Sequence, residues 1–154
     1  MSMTEIEITR HITDTFPGVD VLVGSKEAGS PEVAWGDIFF SYDPDGTLAP
    51  EKKFPFATIV TKDYGDFDAA SNLNRQGVFR LNIGVSKASF EATVSGEEHD
   101  FTALDKVMPH PVYGKMFWLC VLNPSQETFR AVVQPLLAEA YQRAAQKISN
   151  RSES

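Results

Sequence analysis

The sequence predicts a single α+β domain in which an antiparallel sheet of about five strands carries helices on one face. Two observations predict this class. Short segments rich in β-branched and aromatic residues alternate with turn residues, as in a meander of strands. Segments with apolar residues at helical intervals lie near both ends of the chain. The chain has 154 residues, enough for one domain over 1–148, and we expect 149–154 to form a frayed tail.

The first half of the chain is predicted to form a helix and three strands. Thr4 and Glu7 form a capping-box pattern, and apolar residues follow at intervals of four until Pro17-Gly18 ends the helix. The next apolar segments are predicted strands: 19–23, 33–42 and 56–61. A turn over 43–46, with the sequence Asp-Pro-Asp-Gly, separates the last two strands, because Pro presets φ and Gly accepts a positive φ.

The second half is predicted to contain two more strands. In segment 78–83 the apolar residues at 79, 81 and 83 share one face, whereas Arg80 and Asn82 share the other. Segment 116–122 is apolar on both faces, which indicates a central, covered strand. Its single cysteine, Cys120, excludes an internal disulfide and is expected to be a buried, reduced thiol.

Helices are predicted around these two strands. Ser86 is expected to cap a short helix, and segment 101–107 is expected to form another. Ser125 is expected to cap a longer helical region at the end of the chain. Because proline lacks the backbone N–H that a helix interior needs, we expect a break near Gln134 and a second helix that has Pro135 in its first turn.

The formal net charge of −7 disfavours nucleic acid as a partner, since a nucleic-acid interface normally carries a basic surface. Arg143, Lys147 and Arg151 are the densest basic residues. We interpret them as the solvated end of a helix, where cations complement the helix dipole. The chain shows no signal-peptide pattern and no apolar run of membrane-spanning length, so we expect a cytoplasmic protein with no membrane partner.

Common catalytic, phosphate-binding and metal-binding motifs do not occur in the sequence, so we assign no catalytic residue and expect no cofactor and no metal. The three histidines are scattered along the chain without the spacing of metal ligands. Asp63, Asp66 and Asp68 lie close together in a segment with Gly and Asn. We interpret them as caps of turns and helices rather than as a pair of acid-base groups.

A set of aromatic and polar residues centred on segment 78–83 is the predicted ligand-binding site. Its members are Trp35, Asp37, Tyr42, Arg80, Asn82, His110, Tyr113 and Trp118. Arg80 beside Asn82 offers planar donors for a carboxylate or phosphate, and the aromatic residues would wall a pocket. The alternative interpretation is structural, with Arg80 paired to Asp37 across the sheet.

Several motifs of the second half resemble the MmcQ/YjbR-like proteins: Phe79-Arg80-Leu81-Asn82-Ile83-Gly84, His110-Pro111-Val112-Tyr113-Gly114, Phe117-Trp118-Leu119-Cys120-Val121 and Ala138-Glu139-Ala140-Tyr141. The whole chain, with Trp35-Gly36-Asp37 and the Asp43-Pro44 turn, is similar to an uncharacterised bacterial subgroup, a domain of unknown function. The resemblance implies a CyaY-like fold and the double-wing DNA binding suggested for the family. Two features of this chain differ from those expected of a DNA-binding member of the family. Its net charge is acidic, and Phe117 lies where members often have His. No catalytic residue is carried over.

Three functions are compatible with these features, in this order. The first is a non-catalytic module that binds a small anionic ligand or a protein partner, which requires a closed pocket beside Arg80. The second is a DNA-binding protein of the MmcQ/YjbR type, which requires a local basic surface. The third is an enzyme that uses Asp37, Tyr42 or His110, which requires these groups to converge in a cleft.

Overall fold

The structure is a computed structural model that describes residues 2–49, 52–94 and 98–153, with side chains described through residue 149. It is an antiparallel sheet with helices on one face, as the sequence predicts. The strands are β1 (Val19–Val23), β2 (Ile38–Tyr42), β3 (Ala57–Val60), β4 (Arg80–Gly84), β5 (Met108–Pro109) and β6 (Trp118–Leu122). The helices are α1 (Glu5–Thr15), α2 (Lys87–Thr93), α3 (Gln126–Thr128) and α4 (Gln134–Glu153).

Within the described residues the sheet has six strands in the order β1-β2-β3-β4-β6-β5, and each neighbouring pair is antiparallel. This is one strand more than predicted, because the two-residue β5 lies in a proline-rich segment with no alternating pattern. Strand β6 lies between β4 and β5 and is buried from Leu119 to Leu122, which confirms the prediction of a central, covered strand.

The helix-covered face of the sheet contains the main hydrophobic core. The side chain of Thr4 accepts a hydrogen bond from the backbone of Glu7, and the Glu7 carboxylate accepts one from the backbone of Thr4. This capping box fixes the start of α1, which turns Ile8 and Ile12 toward the face that carries Leu81. Helix α4 packs on the same face, so this layer arises from the predicted helical periodicity.

The opposite face, called the loop-covered face below, is covered by the segments 61–78 and 98–107. Strand side chains and loop side chains form a smaller core there, which consists of Val60, Leu73, Met108, Cys120 and Leu122. Because side chains alternate along β4, Arg80 and Asn82 point to this face. The loop-covered face therefore contains the polar residues that the sequence singles out.

The second predicted strand begins later than expected, at Ile38. Residues Glu32–Ala34 form a 3-10 turn, and Gly36 has a φ of +86°, which takes the chain out of the extended conformation. The predicted helix over 101–107 is wrong, since this segment consists of turns. Its backbone instead pairs with β6: the N–H of Asp105 donates to the carbonyl of Leu122 at 2.7 Å. A helix would have occupied that N–H group internally.

Pro135 does not break the final helical region. Helix α3 continues into a π-helical turn, Phe129–Val133, in which the N–H of Gln134 bonds to the carbonyl of Phe129. This wider turn places Pro135 in the first turn of α4, where its missing N–H costs little. Helix α4 continues to Glu153 and residue 154 lies outside the described residues, so the division between domain and tail stays a prediction.

None of the helices in the described part of the chain combines the length and the apolar character needed to cross a lipid bilayer.

Candidate functional site

A cavity of about 770 Å³ lies on the loop-covered face, within the size range usual for small-molecule sites. Its floor is formed by sheet side chains, among them Phe39, Thr58 and Asn82. These three residues lie side by side because β2, β3 and β4 pair in the register Phe39–Thr58–Asn82. Loop residues around Phe67 and Tyr113 form its sides.

The cavity brings together part of the predicted site. Its lining includes five of the predicted residues: Arg80, Asn82, His110, Tyr113 and Trp118. Trp118 lies across Gly84, where a Cβ atom would come within 2.9 Å of the indole ring. The absence of a side chain at Gly84 therefore lets the indole lie against the sheet as one wall of the cavity.

Trp35, Asp37 and Tyr42, the other predicted site residues, do not line this cavity. The Trp35 indole donates to the backbone of the β1–β2 connection. Asp37 is fully buried behind the cavity wall, where it accepts a 2.5 Å hydrogen bond from the hydroxyl of Tyr64. Burial and this hydrogen bond raise the pKa of Tyr64, so the phenol keeps its proton. Tyr42 lies on the helix-covered side against the ring of Tyr141.

Arg80 is only 1% exposed, and its N–H groups all face protein atoms. Nη1 and Nη2 donate to the two carboxylate oxygens of Asp68 at 3.1 and 2.5 Å. Nη1 also donates to Ser71, and Nε donates to Oδ1 of Asn82 at 2.8 Å. The remaining side of Nη2 faces Nε2 of His110 at 3.0 Å. The guanidinium therefore positions the side chains on the floor of the cavity, and none of its N–H groups is left to bind a ligand.

The acid that pairs with Arg80 differs from the one in the structural interpretation of the sequence. Asp68, on the loop over the sheet, pairs with Arg80, whereas Asp37 bonds to Tyr64 and Thr61. The predicted capping role of Asp68 is replaced by this ion pair. Because the ion pair between Asp68 and Arg80 joins residues twelve positions apart, it also holds the loop 61–78 against β4.

His110 is neutral because of the groups around it. The backbone N–H groups of Val112 and Tyr113 both point at Nδ1, each at 3.0 Å, so Nδ1 is the acceptor nitrogen. Burial, with the Arg80 guanidinium adding to it and Asp68 opposing it, lowers the pKa of His110 to about 4. Protonation would add an N–H at Nδ1, which would point at the two backbone N–H groups that are themselves donors.

We expect stability to fall as the pH is lowered from about 6.5 to about 4. In this range the unfolded histidine binds a proton and the folded His110 does not. The unfolded state therefore holds more protons, and the free energy of unfolding rises with pH by at most about 1.4 kcal/mol per pH unit for this group. Urea unfolding at a series of pH values measures the slope.

The matched variant for this measurement is His110→Asn, whose side-chain oxygen can accept the same two backbone N–H groups but does not titrate. It should flatten the slope. His11→Gln removes a second histidine whose pKa is lowered by burial, and it should flatten the slope less. An undiminished slope in His110→Asn would contradict the assignment.

Two donors on the cavity floor lack protein acceptors. Because Nε of Arg80 can only donate, Oδ1 of Asn82 must face it, which turns Nδ2 toward Thr58. Nδ2 donates to the Thr58 hydroxyl oxygen at 2.9 Å. The hydroxyl proton of Thr58 and the second amide proton of Asn82 have no acceptor among the residues that the structure describes. The floor can therefore donate two hydrogen bonds to a ligand.

The mouth of the cavity is apolar. The rings of Phe67 and Tyr113 contact each other, with 6.2 Å between their centroids, and together form one apolar edge of the mouth. Phe54, Phe67 and Met116 are 67%, 64% and 62% exposed, and all three line the cavity. Large apolar side chains grouped around an opening are typical of binding sites rather than of ordinary surface.

Sequence reasoning missed three residues that shape the site: Thr58, Phe67 and Asp68. Thr58 is the polar member of an otherwise apolar strand, Ala57–Val60, and that interruption was a usable signal. Its position beside Asn82 depends on strand register, which the local pattern does not contain. Phe67 lies among turn residues, and a single aromatic residue there indicates no partner.

The three candidate catalytic residues do not converge. Asp37 lies behind the cavity wall, bonded to Tyr64. Tyr42 lies on the helix-covered side, and His110 belongs to the hydrogen-bond network of Arg80. Burial raises the pKa of the Cys120 thiol to about 12, which removes it as a thiolate nucleophile. In the described part of the chain, no three His, Cys, Asp or Glu residues form a group able to hold a metal ion.

Comparison with known proteins identifies one family. A model of a family of unknown function, DUF6194, matches residues 3–153. No curated protein and no solved structure gives a significant match. The family match agrees with the predicted similarity to an uncharacterised domain, whereas the MmcQ/YjbR-like resemblance and the CyaY-like fold stay predictions. Because the match extends over nearly the whole chain, the protein belongs to the DUF6194 family of unknown function.

Proposed function

We propose that the protein is a non-catalytic module that binds a small organic ligand in the cavity on the loop-covered face. A neutral acceptor oxygen of the ligand, such as a carbonyl oxygen, bonds to Thr58 and Asn82. The apolar part of the ligand packs against Trp118 and the contacting rings of Phe67 and Tyr113. The donors of Thr58 and Asn82, which have no acceptor among the described residues, are the observation that carries this proposal.

The surroundings of these donors support binding. A hydrogen bond formed by such a donor contributes on the order of 1 kcal/mol, so a ligand oxygen that accepts from both is favoured. Asn82 is held in one orientation by Arg80, which Asp68 holds in turn. The floor is therefore ordered before a ligand arrives, and less conformational entropy is lost on binding.

Thr58→Val tests the floor. 6-Acetylnaphthalene-2-carboxylate, with a ketone oxygen at one end of an aromatic body and a carboxylate at the other, serves as the probe, and calorimetry or a thermal shift gives the dissociation constant. We expect Thr58→Val to weaken binding about tenfold, because it removes a hydroxyl donor with almost no change of shape. Thr13→Val, which removes an exposed hydroxyl on α1, is the matched control and should bind like the wild type.

Phe67→Ala tests the mouth in the same assay. It should weaken binding about fivefold through lost aromatic contact, and it should change stability little because Phe67 is exposed. Ile6→Ala removes an equally exposed apolar side chain from α1 and should have no effect. Binding that is unchanged in both Thr58→Val and Phe67→Ala would show that the probe does not occupy this cavity.

A protein partner is the second candidate, favoured by the exposed side chains of Phe54, Phe67 and Met116. Such a partner would pack an apolar side chain against the paired rings of Phe67 and Tyr113. Its binding would then depend on Phe67 but not on the Thr58 hydroxyl. Loss of binding in Phe67→Ala with full binding in Thr58→Val therefore distinguishes a protein partner from a small ligand.

A further inference from the structure

A second, smaller cleft of about 260 Å³ adjoins the cavity and contains three cationic side chains. This basic cleft is defined by Lys52, Arg143 and Lys147, with aromatic walls from Tyr42, Phe54 and Trp118. Phe54, Trp118 and Lys147 line the cavity as well. The two spaces are therefore neighbours that share walls.

The charge of the basic cleft is opposite to that of the whole chain. Among the described residues its lining contains no Asp or Glu, although the chain carries a net charge of −7. Lys52, Arg143 and Lys147 form no ion pair within 4.0 Å with a described residue. The acid whose pKa responds to Arg143 is Glu139, one turn earlier on α4. Glu51 lies outside the described residues.

The arrangement is more specific than a solvated helix end. Arg143 and Lys147 are four residues apart on α4, where two like charges repel each other. Complementarity to the helix dipole accounts for cations near the end of α4, but not for Lys52, which approaches from the segment before β3. An anion between these three side chains would relieve their mutual repulsion.

We propose that the basic cleft binds the acid group of a ligand whose apolar part occupies the cavity. This inference rests on the proposed function and makes the ligand an amphipathic organic anion, with a carboxylate or a phosphate at one end. Trp118 is the wall between the two parts, since its indole borders both spaces. Cations from two different segments would thereby distinguish acids from neutral molecules of the same shape.

The test compares 6-acetylnaphthalene-2-carboxylate with its neutral amide, 6-acetylnaphthalene-2-carboxamide, at pH 7. We expect the wild type to bind the acid about tenfold more tightly than the amide. The double variant Lys52→Gln/Arg143→Gln should lose most of that preference and should bind the amide unchanged, because neither residue lines the cavity. Added salt, from about 50 to about 500 mM, should weaken binding of the acid by the wild type more than by the variant.

Arg130→Gln is the matched control, because Arg130 is exposed on the same helical region and lines neither space. It should keep the preference for the acid. Lys52→Gln, on a separate segment, should reduce the preference without any change in α4. 6-Acetylnaphthalen-2-yl phosphate distinguishes the two acid groups: a preference larger than that for the carboxylate assigns a phosphate monoester.

The two proposals fail in distinguishable ways. If the wild type binds acid and amide with equal affinity and Thr58→Val weakens the binding of both, the basic cleft is not an acid site. The proposed function would remain intact in that case. An undiminished preference for the acid in Lys52→Gln/Arg143→Gln would also overturn the basic cleft as an acid site. Failure of all three probes to bind would contradict the proposed function itself.

Discussion

Replacement of Arg80 by Met is expected to destabilise the protein by about 3–5 kcal/mol, the usual cost of removing one partner from a buried ion pair. Met fills most of the space of the Arg side chain, so a cavity contributes little. The loss comes from Asp68, which is 7% exposed and would keep a buried charge beside the neutral ring of His110. Ser71 and Asn82 would lose their Arg80 contacts as well. Urea unfolding at pH 7 gives the free energy.

The double variant Arg80→Met/Asp68→Leu separates the buried charge from the other effects. It removes both ions, so its cost should be well below the sum of the two single costs. In Arg80→Met the pKa of His110 should also rise, because the neighbouring positive charge is gone, and NMR titration of the ring follows this directly. A cost below about 1 kcal/mol for Arg80→Met would mean that Asp68 finds another partner or takes up a proton.

Gly24→Ala is expected to cost about 3 kcal/mol, at the upper end of overpacking effects. A Cβ atom at this position would lie 2.0 Å from the carbonyl oxygen of Ala34, which is backbone and cannot rotate away. The contact matters for the site because the N–H of Gly24 donates to the carbonyl of Asp37. Asp37 in turn holds Tyr64 at the cavity wall, so binding of the naphthalene probe should weaken together with stability.

Two controls separate this clash from other glycine effects. Ala34→Gly should not rescue Gly24→Ala, because the obstacle is the carbonyl of residue 34 rather than its methyl group. Gly29→Ala should cost only about 1 kcal/mol, since its Cβ would meet nothing within 4 Å and only the positive φ is unfavourable. Rescue by Ala34→Gly, or equal costs at both glycines, would contradict the explanation.

Much of the fold could be predicted because its signals are local. The capping box at Thr4 and Glu7 involves residues three positions apart, and the alternation along β4 follows from the geometry of one strand. The apolar character of β6 on both faces likewise predicts a covered strand. The failures, such as the helix predicted over 101–107, occur where backbone groups pair with distant strands.

The sequence by itself determined that Arg80 and Asn82 share one face of a strand, since a period of two requires it. Only the tertiary structure decided which groups meet them there. Strand register placed Thr58 beside Asn82, and the conformation of a long loop brought Asp68 to Arg80. These contacts depend on how separate segments pack, a property that local spacing does not encode. Because of them Arg80, predicted to bind an anion, is instead buried beneath the cavity and supports its floor.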